Sequence, residues 1–439
     1  ILLYSVTGIP ISSGNEIDLA ADPADVVIKG AAARDFTGHS VTFGDINGDK
    51  MQDLIIGAYG AEGPEGAGRT GSGRIYVLYG KATFSENIDL SSAADLIIYG
   101  VNSGDHLGYA VASADINGDG KDDILSSAPF ADSLSKIDTG SVILLYGGTG
   151  LTGEIDLKTN PGNTTFIYGE DGIYGEDLGD RIGCSISTGF INDDEIADFI
   201  VGTRYADGPQ NQRRKSGAAY VFFGKNSGFG SNWDLSVTPA DFTLYGKNWG
   251  DECGCSVSAG DFDGDGRDDV ISGAINGDGT AEDRLESGEV YIIYGKNIIS
   301  GTSWDLKYKQ ADVTIYGGGA GDLLGISSAI GDFNGDRIDD LLIGAPLADG
   351  PDDSRIDSGE LYLIYGSSSL PLSIDLYDTS PDLKIFGRDG LDQLASTTLV
   401  VNGNSVINGF AATMGDINGD GYDDIIAGVP LSDGPGIIR

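Results

Sequence analysis

The sequence is poor in positive charge and has no long apolar run. Its 439 residues contain 26 Lys and Arg against 68 Asp and Glu, which gives a formal net charge of −42. A chain this acidic does not bind nucleic-acid phosphates or anionic lipid by charge alone. No apolar run reaches the roughly 18 residues that indicate a membrane span. We therefore expect cations as partners, no nucleic acid and no membrane insertion, while the oligomeric state stays open.

Cysteine and histidine are also scarce, with three and two residues. Cys184, Cys253 and Cys255 are too few for a disulfide framework, and they lack the paired C-x₂-C elements of a structural zinc site. Cys184 and Cys255 occupy the same position in two copies of the sequence repeat that is described below. They are either buried thiols or form a disulfide between neighbouring repeats.

Motifs typical of catalysis are missing from the sequence. Neither a nucleophile elbow nor a Gly-rich phosphate loop occurs, so we expect no enzyme and no catalytic residues. A glycosidase-like carboxylate pair is the alternative. Because the chain starts at Ile1 without an initiator methionine or a signal-peptide pattern, we also expect a processed or excised segment.

Glycine, in contrast, is abundant, with 70 residues in a chain that is still 40% hydrophobic. This combination excludes disorder and collagen, and it indicates tight turns between apolar segments. One acidic nonapeptide occurs five times, beginning at Asp45, Asp115, Asp261, Asp332 and Asp416. A sixth, degraded copy runs from Phe190 to Asp198. We call these segments loops 1 to 6 in chain order, so loop 3 is the degraded copy and loop 4 is 261–269.

Each loop belongs to a repeat of four short strands. The loop runs into an apolar segment such as 341–346, and a second strand follows between Ser/Thr-Gly and Tyr-Gly. A third strand follows an Ile/Trp-Asp-Leu turn, and the fourth lies just before the next loop. No helical period appears, and the β-branched and aromatic content favours a sheet. The pattern predicts an all-β fold, a β-propeller of four-stranded antiparallel blades.

Six blades are predicted in a single domain over 1–439, with seven as the alternative. The expected repeats are 34–100, 105–169, 179–246, 251–317, 322–387, and 407–439 together with 1–30. The last blade is then shared between the two chain ends, which closes the ring and removes exposed sheet edges. The longest interval, between loops 5 and 6, predicts an enlarged loop within 388–405.

The segments around Gly38 and 344–346, with the acidic loop between them, resemble the FG-GAP repeats of integrin alpha-subunit propellers and their bacterial relatives. The resemblance covers nearly the whole chain. It implies a calcium-binding, non-catalytic interaction or adhesion module, extracellular or at the cell surface. Its ligand would be a protein or glycan on the loop face opposite the calcium loops. The alternative is a carbohydrate-active hydrolase or lyase, or a lectin-type glycan-binding propeller.

The chemistry of the loops predicts a hard divalent cation. Oxygen side chains at positions 1, 3, 5 and 9 and a carbonyl at position 7 suit Ca²⁺, which takes about six to eight oxygens. Crowded carboxylates repel one another unless a cation neutralises them, although Asx turns without metal are the alternative. We expect about five Ca²⁺ sites, with loop 3 empty because Phe190 replaces the first Asp and Asp193 the Gly.

The expected ligands occupy the same five positions in every intact loop. They are Asp45, Asn47, Asp49, Met51 and Asp53; Asp115, Asn117, Asp119, Lys121 and Asp123; Asp261, Asp263, Asp265, Arg267 and Asp269; Asp332, Asn334, Asp336, Ile338 and Asp340; and Asp416, Asn418, Asp420, Tyr422 and Asp424.

Two further sets of charged residues recur on the loops expected at the opposite face. A basic set precedes each Ser/Thr-Gly and comprises Arg69, Lys136, Arg213, Arg284 and Arg355. An acidic set precedes the inner strands and comprises Asp35, Asp105, Asp180, Asp251 and Asp322. The two sets form either a basic ring for an anionic ligand or inter-blade salt bridges with each other.

Overall fold

The computed structural model describes residues 2–3, 26–133, 136–159, 162–172, 179–230, 232–394, 397–401, 404–408, 412–416 and 419–428. The regular secondary structure of these residues is mainly β-strand, with one α-helix, α1 (Leu90–Ala93), and three 3-10 helices of three residues each. No helix in this part of the chain is long and apolar enough to cross a membrane.

The strands are short, and most repeats supply five of them. The first half of the chain contains β1 (Leu2–Leu3), β2 (Val26–Lys29), β3 (Val41–Gly44), β4 (Asp53–Ala58), β5 (Arg74–Leu78), β6 (Asn87–Asp89), β7 (Leu96–Tyr99), β8 (Val111–Ala114), β9 (Asp123–Ala128), β10 (Ser141–Leu145), β11 (Gly153–Asp156), β12 (Thr164–Tyr168), β13 (Ser185–Gly189), β14 (Asp198–Thr203), β15 (Ala218–Phe222) and β16 (Asn232–Asp234). The second half contains β17 (Phe242–Tyr245), β18 (Cys253–Gly260), β19 (Asp269–Ala274), β20 (Glu289–Ile293), β21 (Thr302–Asp305), β22 (Val313–Tyr316), β23 (Ser327–Gly331), β24 (Asp340–Ala345), β25 (Glu360–Ile364), β26 (Ser373–Asp375), β27 (Leu383–Phe386), β28 (Thr397–Val401), β29 (Asn404–Asn408), β30 (Ala412–Gly415) and β31 (Asp424–Ala427).

Repeats 1 to 5 each fold into one antiparallel sheet. The strand orders are β3-β4-β5-β7, β8-β9-β10-β12, β13-β14-β15-β17, β18-β19-β20-β22 and β23-β24-β25-β27. The second strand of each sheet is buried along its whole length, as in β4 and β24, because sheets pack against both of its faces. This burial explains why these segments read as continuous apolar runs. The predicted all-β propeller is confirmed.

The Ile/Trp-Asp-Leu segments were predicted as turns, and this is incomplete. In the part of the chain that the structure describes, five of these segments are strands that add in parallel to the outer strand of the preceding sheet, as β11 does to β7 and β21 to β17. Each ends at its Asp, whose carboxylate accepts a backbone N–H two residues on, for example from Lys158 to Asp156 Oδ1 at 3.1 Å. The blade edge is covered by this fifth strand and is not left unpaired.

Hydrophobic clusters fill the spaces between neighbouring sheets, from repeats 1 and 2 to repeats 4 and 5. Two more clusters involve the chain ends. Ile28 of β2 packs with Tyr76 of repeat 1, and Met414 of β30 packs with Leu363 of repeat 5. Each fully buried aliphatic or aromatic side chain contributes about 1.5–3 kcal/mol. The blades are therefore held together by apolar contacts around the ring.

The innermost strands surround a central channel. Residues from β3, β8, β13, β18, β23 and β30 line one cavity of about 680 Å³. Small side chains dominate where the strands converge, and the Ser258 and Ser328 hydroxyls are 2.7 Å apart. The six repeats thus share one axis.

Two separate parts of the predicted shared last blade lie among the described residues. β30 pairs with β31, and β1 pairs with β2, which continues to β6 of repeat 1. Residues 4–25 and 429–439, which the junction involves, lie outside the described residues, so the junction stays a prediction. The enlarged segment between repeats 5 and 6 contains the hairpin of β28 and β29.

The three cysteines are free, so the alternative of a disulfide is not realised. Cys253 and Cys255 are buried, as the thiol interpretation predicted. Cys184 is half-buried and donates to the Gly254 carbonyl at 3.1 Å.

Candidate metal centre

The acidic loops connect the first and second strands of their sheets and therefore lie on one face of the ring. In loop 1, Gly48 at position 4 and Lys50 at position 6 have φ of 77° and 71°. Such backbone angles favour glycine, which loops 2, 4 and 6 have at both positions. In loop 3, by contrast, neither Asp193 nor Glu195 is among the described residues with positive φ.

The carboxylate at position 1 organises each intact loop from inside. Its Oδ2 accepts the backbone N–H of position 6, from Lys50 to Asp45 at 2.8 Å and from Gly266 to Asp261 at 2.9 Å. The same bond recurs in loops 2, 5 and 6. Position 5 is held similarly, since its N–H donates to the oxygen at position 3. These bonds fold the loop so that its oxygen side chains face inward.

The oxygens converge most clearly in loop 4. Carboxylate oxygens of Asp261, Asp263 and Asp265 lie within 4.8 Å of one another. In loops 1, 2 and 5, position 3 is Asn, which supplies an amide oxygen in place of the third carboxylate. Asn418 of loop 6 lies outside the described residues. The oxygens at positions 1, 3 and 5 form a donor set that suits a hard cation, so the residues fit Ca²⁺.

The position-9 Asp has a structural role in addition to its predicted role as a ligand. Asp269 is fully buried, and it accepts N–H groups from Phe262 at 3.1 Å and from Gly295 at 2.8 Å. Equivalent bonds are made by Asp53, Asp123, Asp198 and Asp340. Burial raises the pKa of Asp269 to about 8 and that of Asp123 to about 7, and neighbouring loop carboxylates add to both shifts. Whether position 9 also binds metal stays a prediction.

Sequence reasoning missed a link between loops. Asp122, at position 8 of loop 2, accepts the N–H of Asp45 at 2.8 Å. Asp339 of loop 5 accepts the N–H of Asp261 at 2.9 Å. In the same way, Asp268 accepts the N–H of Phe190 and Asp423 accepts the N–H of Asp332, each at position 1 of the preceding loop. The recurrence of Asp at position 8 was the signal in the sequence. The hydrogen bond of this Asp fixes one loop to the preceding loop.

Loops 3 and 4 also carry cationic neighbours that the sequence did not reveal. Lys296 contacts Asp263 Oδ2 and lies 3.3 Å from Asp265 Oδ2. Its own pKa is raised chiefly by the hydrogen bond to Asp263. Arg267 reaches back to Asp193 of loop 3. The only hint in the sequence was that loop 4 has four carboxylates at its expected ligand positions, whereas the other intact loops have three.

The basic set on the opposite face is paired, but not with the predicted partners. Arg69 Nη2 lies 2.8 Å from Asp156, and Arg213 Nη1 lies 2.6 Å from Asp305. Arg284 Nη2 lies 2.8 Å from Asp375 Oδ1. In each case the Asp belongs to the added parallel strand of the following repeat, because that strand brings its Asp beside the arginine. The predicted inter-blade salt bridges are therefore present for these three arginines, but their partners are not the acidic set. Anion binding by the basic set stays a prediction.

The acidic set closes its own turns instead of pairing with arginine. Asp180 accepts the N–H of Asp171 at 2.8 Å, and Asp251 accepts that of Asn248 at 3.0 Å. Both carboxyls are more than nine-tenths buried. Burial raises their pKa, to about 8 for Asp180 and about 7 for Asp251.

Comparison with known proteins identifies the class of these repeats. A model of the FG-GAP repeat matches residues 37–78, 107–145, 324–363 and 408–438. The chain therefore carries FG-GAP repeats and is an integrin-like propeller, as the resemblance predicted.

The curated relatives fall into two groups. Phosphatidylinositol-glycan-specific phospholipase D of Bos taurus is 27% identical over 90% of this chain and 43% of its own length. The Dictyostelium discoideum enzyme of the same name is 25% identical over 70% of this chain and 31% of its own. Integrin alpha-PS2 of Drosophila melanogaster is 30% identical over 55% of this chain and 15% of its own. The chain thus spans less than half the length of these relatives.

The expectation that the protein is not an enzyme is wrong, because relatives that match 90% of the chain are named phospholipases D. Among solved structures, an Agrocybe aegerita lectin that recognises terminal N-acetylglucosamine aligns over 88% of this chain and 73% of its own, at 15% identity and a TM-score of 0.40. The rhamnogalacturonan lyase YesX aligns over 84% and 52%, at 14% identity and 0.39. These structural likenesses are too distant to support a function.

Proposed function

We propose that this chain is the calcium-binding FG-GAP propeller of a hydrolase that acts on phosphatidylinositol-glycan or a similar glycan-bearing lipid. The observation that carries the proposal is the similarity to phosphatidylinositol-glycan-specific phospholipase D, which extends over 90% of the chain. The match to integrin alpha-PS2 covers only 55%. The former similarity therefore accounts for more of the repeats.

Calcium in this proposal binds at loops 1, 2, 4, 5 and 6. The convergence of carboxylate oxygens within 4.8 Å in loop 4 supports it, since three carboxylates repel one another more than the single charge of Lys296 compensates. If the sites are as weak as those of extracellular modules, they fill only at about 10⁻⁴–10⁻³ M calcium. An extracellular or cell-surface location is proposed for this reason.

The proposed ligand surface is the loop face opposite the calcium sites, where a protein or glycan would bind. Propeller loops at one face present a broad surface on a rigid scaffold. An adhesion module of the integrin type is the second candidate, favoured by the 30% identity to integrin alpha-PS2. It would bind its ligand through the same face.

The test is release of a phosphatidylinositol-glycan-anchored reporter protein from detergent micelles. The chain alone and the longest available parent protein are assayed with millimolar calcium and with chelator. Release by either protein supports the hydrolase, and release by the chain alone would assign the catalytic groups to it. If neither protein releases the reporter while the chain binds immobilised protein ligands, the adhesion candidate replaces the hydrolase.

A further inference from the structure

Loop 4 differs from the other intact loops in two features. Position 3 is Asp263, where loops 1, 2, 5 and 6 have Asn. A lysine lies against this additional carboxylate, because Lys296 Nζ contacts Asp263 Oδ2 and lies 3.3 Å from Asp265 Oδ2. Both carboxylates belong to the cluster that converges within 4.8 Å. An ammonium group thus lies against two of the three carboxylates of this cluster.

The lysine approaches the loop from the solvent side. Its side chain is 47% exposed, while that of Asp263 is 3% exposed. Nζ also lies 4.6 Å from the centroid of the Tyr294 ring. The preceding residue, Gly295, donates its N–H to Asp269 at 2.8 Å. This hydrogen bond fixes the backbone just before Lys296 to position 9 of loop 4. A half-exposed, unbranched side chain can leave this position by rotating into solvent.

The lysine at this position of the repeat contacts acidic-loop carboxylates in repeat 4, whereas in loop 2 a lysine within the loop, Lys121, lies 3.1 Å from Asp119 Oδ1. The residue that follows the same glycine is Lys81 in repeat 1 and Lys225 in repeat 3. Lys81 lies 4.9 Å from the Phe84 ring, and Lys225 lies 3.8 Å from Asp241. Gly148 and Ser367 occupy the position in repeats 2 and 5. The described contacts of these residues do not include an acidic-loop carboxylate.

We propose that Lys296 is a built-in competitor for the divalent cation at loop 4, holding Asp263 and Asp265 until calcium displaces it. The inference rests on the proposed calcium binding. Loop 4 has the most carboxylates, yet only the fraction of molecules with the lysine displaced is free to bind, and apparent affinity falls by that fraction. Loop 4 is therefore a weaker and later-filling site than its carboxylate count alone indicates.

The experiment compares calcium binding by the wild-type chain, Lys296→Met and Lys225→Met. Calorimetric titration gives affinities, and native mass spectrometry counts bound ions. Asp265→Ala, which removes a ligand of loop 4, shows which ion belongs to that loop. We expect Lys296→Met to tighten this site about tenfold, since the competing state is removed. Lys225→Met removes one charge from the neighbouring repeat and should leave the site unchanged.

A second variant pair tests the contact itself. In an Asp263→Asn background, Lys296→Met should have less than one third of its effect, because the main partner of the lysine is already gone. An unchanged or weaker loop 4 site in Lys296→Met overturns the inference, as does an equal gain in Lys225→Met. If the wild-type chain binds no calcium, the proposed calcium binding fails first. Circular dichroism of every variant confirms folding.

Discussion

Loops 3 and 4 are neighbours in the ring, and comparing them separates the parts of an acidic loop that build the fold from the parts that suit a cation. Loop 3 keeps the buried position-9 carboxylate, where Asp198 accepts N–H groups from Ile191 at 2.9 Å and Gly224 at 2.9 Å. It also keeps the turn in which Asn192 accepts the N–H of Asp194 at 2.7 Å. These bonds match those of loop 4, so they form without a complete set of metal ligands.

What loop 3 has lost is the position-1 carboxylate and the glycine at position 4. Phe190 takes the first position and is 52% exposed, which is a poor place for an aromatic ring. The backbone at Asp193 and Glu195 no longer has the positive φ of the intact loops. The comparison teaches that the β-hairpin and its position-9 bonds form without the position-1 carboxylate and the position-4 glycine, which the proposed cation binding requires.

Removing calcium should have the largest effect. Five sites at tenfold excess over Kd stabilise by about 1.4 kcal/mol each, or roughly 7 kcal/mol together, which corresponds to about 8 °C in Tm for a chain of this size. Loop 3 contributes nothing to this term. A calcium titration of Tm against chelator measures it, and a Tm that does not respond to calcium contradicts the assignment of all five loops.

Removing the position-9 carboxylate should destabilise both loops, whether or not they bind metal. Asp198→Ala leaves N–H groups of Ile191, Asn192 and Gly224 without their acceptor. We expect a loss of about 3 kcal/mol in the free energy of unfolding, because buried donors are left unsatisfied. Urea unfolding in chelator measures it. The matched change, Asp269→Ala in loop 4, should cost a similar amount, and a loss confined to loop 4 would show that position 9 acts mainly through metal.

The position-5 pair should distinguish the two loops most sharply. Asp265→Ala should remove one calcium ion per chain and about 1.4 kcal/mol of calcium-dependent stability at tenfold excess over Kd. Asp194→Ala, the same change in loop 3, should leave the number of bound ions unchanged. Elemental analysis after gel filtration counts the metal. Loss of an ion from the Asp194 variant would mean that the degraded loop binds calcium after all.

A pH effect is expected from the opposite face, away from both loops. Burial raises the pKa of Asp180 to about 8 and of Asp251 to about 7 in the folded chain. The folded state therefore binds more protons than the unfolded state between about pH 4 and pH 8, and stability falls as pH rises through this range.

Asparagine at these positions keeps an acceptor oxygen without the charge. Asp180→Asn should raise Tm by about 5 °C at pH 8 and change it little near pH 4. The effect should be the same with calcium and with chelator, because Asp180 is not in an acidic loop. A Tm gain that disappears in chelator would link this face to the metal sites.

Much of the architecture was predictable because each repeat is defined by residues that lie close together in the sequence. The sixfold recurrence of the acidic nonapeptide, the apolar run after it and the Gly-bounded strand follow from period and residue type. The loop ligands were predictable for the same reason, since all five lie within nine residues of one another. Position 9 was placed correctly in the loop, but its bond to Gly295 could not be foreseen, because that glycine lies 26 residues further along the chain.

The sequence by itself determined that this protein is an all-β repeat protein with five intact acidic loops and one degraded loop, because strand period, glycine positions and carboxylate spacing are local properties. Only the tertiary structure decided which charges meet. Arg69 pairs with Asp156, 87 residues away, and Asp45 is held by Asp122 of the next loop. Lys296, which follows β20, contacts Asp263, which precedes the neighbouring strand β19. A residue pattern shows that charged groups recur, whereas their partners depend on how neighbouring strands and blades pack, which is a property of the assembled ring.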